Sequence, residues 1–247
     1  MKKLVRNLLN RYGYDVVRIR NSNADLSEHL SNVINSKKID CVIDVGANAG
    51  QYGEFLRGIG YRGKIISFEP VSAVFKVLRS KCEGDSEWFA FNCALGDKEE
   101  EKVINVYKST VFSSFLTANN YSKSIWRSLE NVTHETVRVS RLDKMWPDII
   151  GNFGCNNYML KMDTQGFDKF VFDGARGCLS NVSVLQSELS MIPVYDGMVQ
   201  VYDVLKEFHS HGFFISGLYP INRDKSLAVI EYDCVLVRRL PGVLPGK

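Results

Sequence analysis

Two acidic residues end apolar runs at points where a side chain can meet a ligand: Asp44 in Cys41-Val42-Ile43-Asp44-Val45, and Glu69 in Ile65-Ile66-Ser67-Phe68-Glu69-Pro70. Asp44 leads into Gly46-Ala47-Asn48-Ala49-Gly50, a G-x-x-x-G turn that enters a helical stretch. Small residues at Gly46 and Gly50 let the main chain bend tightly and lie close to a ligand. A dinucleotide fingerprint would carry a further glycine between them to admit a pyrophosphate. That glycine is absent, and Asp44 would repel a phosphate while suiting a ligand with an ammonium and a sulfonium. The charge pattern therefore favours S-adenosylmethionine over a nicotinamide dinucleotide. Glu69 is placed to accept hydrogen bonds from both ribose hydroxyls, and Pro70 sets the turn beyond it.

A methyl group on a sulfonium is already activated, so the protein must chiefly align the acceptor and exclude water. A protonated hydroxyl is nevertheless a poor nucleophile, and a positioned base contributes about 10²–10⁴-fold. Asp163, at the end of the apolar run Tyr158 to Asp163, is the candidate base. Glu188 ends the next run, so Asp163 and Glu188 together are candidate oxygen ligands for Mg²⁺ or Mn²⁺, which would lower the hydroxyl's pKa. The alternative is that a carboxylate there orients the acceptor or Lys161. Further candidates for substrate contact are the hydroxyls of Ser113 and Ser114, His134, Lys161 and Gln165. Tyr195 and Tyr219, with Tyr121 and Trp126, offer faces that stack on a sugar ring. Arg127, Arg138 and Arg141 could take an acidic or nucleotide-linked sugar, and Asp143 reads as structural or near the donor. His29 and His209 read as structural, and His211 as a helix end.

Short apolar runs alternate with helical periodicity, which predicts parallel strands joined by crossover helices. Strands are expected at 41–45, 64–69, 87–93, 158–163 and 182–188, with closing strands at 213–218 and 234–240. Helices are expected at 51–59, 71–82 and 199–211, with a short helical turn at 167–174. Ahead of them, Leu4, Leu8 and Leu9 and then Leu26, Leu30, Val33 and Ile34 predict two helical pieces. The first of these carries Lys2, Lys3, Arg6 and Arg11, and reads as a solvated basic face on a docked helix.

With 45% hydrophobic residues, the 247-residue chain can enclose a sizeable core. Its 31 basic and 28 acidic residues are near balance, which does not call for nucleic acid or a membrane as the main partner. A small molecule is the expected ligand. Six scattered cysteines form no C-x-x-C pair, and the apolar stretch behind the N-terminal charges is broken by Arg6, Asn7 and Arg11. The expected location is the cytoplasm, with no transmembrane segment.

Five blocks in order carry a family resemblance: Asp44 to Tyr52, Phe68-Glu69-Pro70, Ala94-Leu95-Gly96-Asp97, Arg141-Leu142-Asp143, and Leu160 to Gly166. Through them the chain resembles the FkbM-type S-adenosylmethionine-dependent methyltransferases over about 39–240. The resemblance implies a class I methyltransferase fold: a Rossmann-like, doubly wound, mostly parallel seven-stranded sheet with helices on both faces. Residues 1–38 would form a helical cap and 39–247 the methyltransferase domain, with an irregular insertion at about 103–143. It also implies that Asp44, Gly46, Asn48 and Tyr52 hold the donor's amino-acid end, with Ala47 and Gly50 in the same turn. Glu69 and Pro70 would frame the ribose, and Cys93 and Ala94 the adenine. The family often has Glu where this chain has Asp168, so Asp168 is left out of the expected site. The expected reaction is O-methylation of a sugar or glycoconjugate precursor in surface polysaccharide biosynthesis, on a small-molecule or nucleotide-linked sugar. A non-carbohydrate natural product, a nicotinamide-dependent oxidation, donor binding without turnover, and a homodimer stay open as alternatives.

Overall fold

The structure is a computed structural model and describes residues 26–239. The basic segment with Leu4, Leu8 and Leu9 lies outside the described residues. Helix α1 (Leu26–Lys37) buries Leu30, Val33 and Ile34, one stripe at helical spacing. Then follow β1 (Cys41–Val45), α2 (Gln51–Gly58), β2 (Lys64–Phe68), α3 (Ser72–Cys82) and β3 (Trp88–Phe91). After an intervening segment come β7 (Tyr158–Met162), α6 (Asp168–Gly174), β8 (Val182–Ser190), α7 (Val201–Ser210), β9 (Phe213–Arg223) and β10 (Val229–Arg238).

Strands β1 and β7 are buried along their whole length, as strands covered on both faces must be, which is why they read as apolar runs broken only by Asp44 and Lys161. The main sheet has the order β3-β2-β1-β7-β8-β10-β9. Its first five strands are parallel, and β10 pairs antiparallel with both β8 and β9. This is the mostly parallel, doubly wound seven-stranded sheet that the family resemblance implies, built from the parallel strands and crossover helices that the alternation predicts. One core, with Leu30, Leu56 and Leu78 from α1, α2 and α3, covers one face. The other face is covered by Trp146, Val171, Phe172, Val204 and Phe208.

The segment between β3 and β7 corrects the expectation of an irregular insertion at 103–143. It is largely ordered, beginning with β4 (Ala94–Leu95), β5 (Glu100–Tyr107), α4 (Asn120–Ile125) and β6 (Val132–Ser140). These strands form a second sheet, β4-β6-β5. Strand β5 buries only Ile104 and Tyr107, so its charged sequence gave no strand-like apolar run. Helix α5 (Leu142–Phe153) follows despite Pro147 in its interior. The closing strands are also longer than expected: β9 is an edge strand with mostly exposed or half-buried residues, so burial did not mark its length. All six cysteines are free thiols. Among the described residues no helix is long and apolar enough to cross a membrane.

Gly174, at the end of α6, touches the main chain after β4: a Cβ there would lie 1.9 Å from the Gly96 carbonyl oxygen. Backbone cannot yield as a flexible side chain does, so Gly174→Ala is expected to cost about 1–3 kcal/mol of unfolding free energy. Urea denaturation measures this, and an unchanged midpoint would contradict the close packing.

Candidate active site

A cleft of about 390 Å³ opens along the carboxyl ends of the parallel strands, where ligands sit in open α/β sheets. Its floor is the turn after β1. Gly46 has φ of 74°, and a Cβ on it would lie 2.0 Å from the Asp163 carbonyl oxygen, so only glycine lets the ends of β1 and β7 meet here. The backbone N–H groups of Gly46 and Ala47 donate to the Phe68 carbonyl at 3.1 and 3.0 Å. Glu69 completes the clamp, accepting from Asn48 N at 2.9 Å and Val71 N at 2.8 Å. Glu69 is 5% exposed. Burial pushes its carboxyl up to about 7, although the two backbone N–H groups pull the other way.

Asp44 is fully buried, and Lys161 stands opposite it in the β1–β7 register. Lys161 Nζ lies 3.0 Å from Asp44 and 3.6 Å from Asp163, and donates to the Gly46 carbonyl at 3.3 Å. Burial opposes the charged lysine, yet the Asp44 and Asp163 carboxylates hold its pKa above the usual range. Ser67 Oγ donates to the other Asp44 oxygen at 3.0 Å and accepts from Trp88 Nε1 at 3.0 Å. The Asp163 side chain is 42% exposed and faces the cleft.

Gln165 follows with φ of 51°, a left-handed conformation uncommon for a residue with a side chain. Its surroundings over-determine it. Nε2 donates to Asp163 at 3.2 Å and to Glu188 at 2.6 Å, while Oε1 accepts from Tyr195 OH at 2.8 Å. Its carbonyl accepts from Ser114 Oγ at 2.7 Å. Burial, then the Asp163 and Glu231 charges, raise the Glu188 carboxyl well above the carboxylate range.

Residues 44–215 match the family described as the methyltransferase FkbM domain. The chain belongs to this FkbM methyltransferase family. No curated protein gives a significant match. Among solved structures, the chain is similar to magnesium protoporphyrin IX methyltransferase from Synechocystis PCC 6803 with bound SAM, at 10% identity and TM-score 0.47, covering 96% of this chain and 97% of that one. It is also similar to Aeropyrum pernix fibrillarin in complex with natively bound S-adenosyl-L-methionine, at 12% identity and TM-score 0.43, covering 80% of this chain and 66% of that one.

The methyltransferase cleft brings together most residues singled out by sequence. Gly46, Ala47, Asn48, Tyr52, Glu69, Pro70, Ala94, Ser113, Ser114, Lys161, Asp163 and Gln165 all line it. Others fall elsewhere. Asp44 lies beneath the cleft with its charge matched by Lys161, so it is no partner for a cationic ligand; the carboxylates facing the cleft near the turn are Asp163 and Glu69. Gly50 caps α2 from behind, against Leu78 and Trp88. Cys93 belongs to the core, and Leu95 lines the wall beside Ala94. His134 is exposed on β6, opposite Asn105. Tyr195 is buried in a cluster with Leu129 and Ile230, and Tyr121 and Trp126 pack against it. Tyr219 sits on β9 opposite Asp233 and meets His29 edge-on. Arg141 is held by Asp143, whose carboxylate also accepts from Gly177 N, so Asp143 is structural and away from the cleft.

Asp163 and Glu188 do not form the expected metal pair. The Gln165 amide N–H group occupies the space between them as a donor to both, an arrangement that satisfies the carboxylates and does not fit a cation. Among the described residues no group of three His, Cys, Asp or Glu could hold a metal ion. Sequence reasoning missed Thr110, Phe115, Phe167, Gln186 and Asp233 in the wall. It also set aside Asp168, which is buried and fixes the loop after β7: it accepts from Thr164 N at 2.8 Å, Thr164 Oγ1 at 2.5 Å and Ser187 Oγ at 2.7 Å. Its signal was the spacing to Thr164, one loop hydroxyl four residues upstream.

The raised Glu69 carboxyl gives a pH signature. The native chain keeps a proton that the unfolded chain releases near its ordinary carboxylate pKa. The associated stability is therefore fully present below the unfolded pKa, and is lost as pH rises through about 7. Between about pH 4.5 and 7, wild-type unfolding free energy should fall relative to Glu69→Gln. Urea titrations across that range measure the difference, and parallel curves would contradict the buried carboxyl.

Proposed function

We propose that this methyltransferase uses S-adenosylmethionine to methylate a hydroxyl of a sugar or glycoconjugate precursor, as a cytoplasmic step in building a surface polysaccharide. The observation that carries the reading is the placement of Glu69 and Asp163, at the ends of β2 and β7, on one cleft to either side of the Gly46 turn. Glu69 suits the ribose hydroxyls, and the apolar wall of Phe68, Leu95, Phe115 and Phe167 suits an adenine. When bound, the donor would supply a methyl group already activated by the sulfonium.

The remaining work falls to the protein. Asp163 accepts the proton of the acceptor hydroxyl, since its side chain reaches the cleft while Glu188 is held toward its neutral form by burial. Lys161 and the Gln165 amide fix the Asp163 carboxylate from two sides at 3.6 and 3.2 Å, so no reorientation is needed as the proton arrives. Tyr52 and Phe55 shield the floor from water.

Wild-type protein should bind S-adenosylhomocysteine in a calorimeter, and transfer labelled methyl to a member of a glycoside and nucleotide-sugar panel without added metal. Asp163→Asn should lower kcat about 10²–10⁴-fold with product affinity little changed. Wild-type turnover by the variant would remove Asp163 from the chemistry, and absence of S-adenosylhomocysteine binding by the wild type would overturn the donor assignment.

A further inference from the structure

The cleft runs across five strands of the sheet, from the end of β2 to β10. Glu69 ends β2, whereas Asp233 lies on β10, and β1, β7 and β8 stand between them in the sheet. At about 4.8 Å per strand, the two carboxylates are four strand steps apart. Glycine turn, Lys161 and Asp163 occupy the middle. The far end is framed by Leu26 from α1, Tyr52 and Phe55 from α2, and Gln186 and Asp233 from β8 and β10. Nothing in the donor reading uses these five side chains as direct ligand contacts, apart from Tyr52 at the edge.

Their arrangement is a built one. Tyr52 OH donates to Gln186 Oε1 at 2.6 Å, and Gln186 Nε2 donates to Asp233 Oδ1 at 3.1 Å. Lys161 Nζ lies 5.0 Å from the centre of the Tyr52 ring, so the same ring joins this end of the cleft to the buried ion pair. The Phe55 ring leans on Tyr52 at 5.8 Å between centroids. An aromatic and aliphatic wall thus faces a polar floor whose free valence is a carboxylate oxygen. Hydroxylated rings, with apolar faces and a polar rim, match such a lining.

Charge narrows the class. The cleft wall carries three carboxylates, Glu69, Asp163 and Asp233, against Lys161 as the cation among the described residues. Lys161 is already matched by Asp44 and Asp163. Among the described residues, an anionic group brought beside Asp233 would meet no unpaired cation, and unmatched like charges in a partly buried site are strongly disfavoured.

We propose that the Leu26, Tyr52, Phe55, Gln186 and Asp233 end of the cleft is the acceptor subsite, and that it takes a neutral or amine-bearing hydroxylated ring while rejecting a carboxylated one. This rests on the donor reading given above. Any phosphate of a nucleotide-linked acceptor then has to lie outside this end of the cleft.

The test is ligand-observed saturation-transfer NMR at pH 8 on full-length protein loaded with S-adenosylhomocysteine, using matched methyl hexosides, methyl hexosaminides and methyl hexuronides. Neutral or amine-bearing members should bind at least tenfold more tightly than the matching uronides. Asp233→Asn should shrink that ratio at least threefold, and Phe55→Ala should weaken all members. The Asp233 variant should keep S-adenosylhomocysteine affinity within about twofold, checked by calorimetry, with melting curves confirming the fold of both variants. Equal or tighter uronide binding overturns the charge assignment. Absence of any glycoside contact, with S-adenosylhomocysteine still bound, overturns the subsite alone. Loss of S-adenosylhomocysteine affinity in the Asp233 variant assigns this end to the donor and likewise overturns it. Failure of the wild type to bind S-adenosylhomocysteine takes down the parent reading, and this proposal with it.

Discussion

The site depends on one buried ion pair. Asp44 and Lys161 face each other across β1 and β7, with side chains 0% and 5% exposed. Removing two charges from water costs several kcal/mol per ion, which is recovered only where geometry is good and the remaining valences are met. Here they are met. Ser67 and Lys161 take the two oxygens of Asp44, while Lys161 reaches the Gly46 carbonyl, Asp163 and the Tyr52 ring. The lysine thus ties the glycine turn, the candidate base and the wall of the acceptor end to a single point. Gly46 adds a steric requirement at that place, because the main chains of the two strand ends touch there.

A second tier of polar contacts fixes the loop that follows Asp163. Asp168 pins Thr164 and Ser187, and Gln165 is held by Tyr195, Glu188 and Ser114 in a backbone conformation it would rarely choose. Strain of this kind persists where neighbours over-determine it, and it is commonly found beside reacting groups. The consequence for function is a division of labour among the acids. Asp44 and Asp168 are spent internally, Glu188 is held toward its neutral form, and Asp163 keeps access to the cleft. A family of acidic side chains at one sheet edge therefore does not amount to a metal site.

The sequence made the scaffold legible because buried parallel strands announce themselves. The runs at Cys41, Lys64 and Tyr158 are mostly apolar on both faces, and the structure places strands at each, as it does at the more polar run from Val182. The glycine turn and Glu69 were readable for the same reason, since they end such runs. What stayed hidden was pairing between distant residues. Asp44 seemed free to meet a cation because Lys161, its partner across the sheet, is more than a hundred residues away. Asp233 reaches the cleft because β10 inserts antiparallel between β8 and β9, beside Gln186 on β8. No local pattern encodes that order. Strands β5 and β6 were missed because their sequences are charged and bury few apolar residues.

The most direct measurement is a double-mutant cycle in unfolding free energy for Asp44→Leu, Lys161→Met and the pair together. Each single change should cost about 3–5 kcal/mol by stranding a buried charge, and the double change should cost far less than their sum. Single costs below about 1 kcal/mol, or simple additivity, would show that the two residues are not a coupled buried pair, and the account of the site built on them would fail.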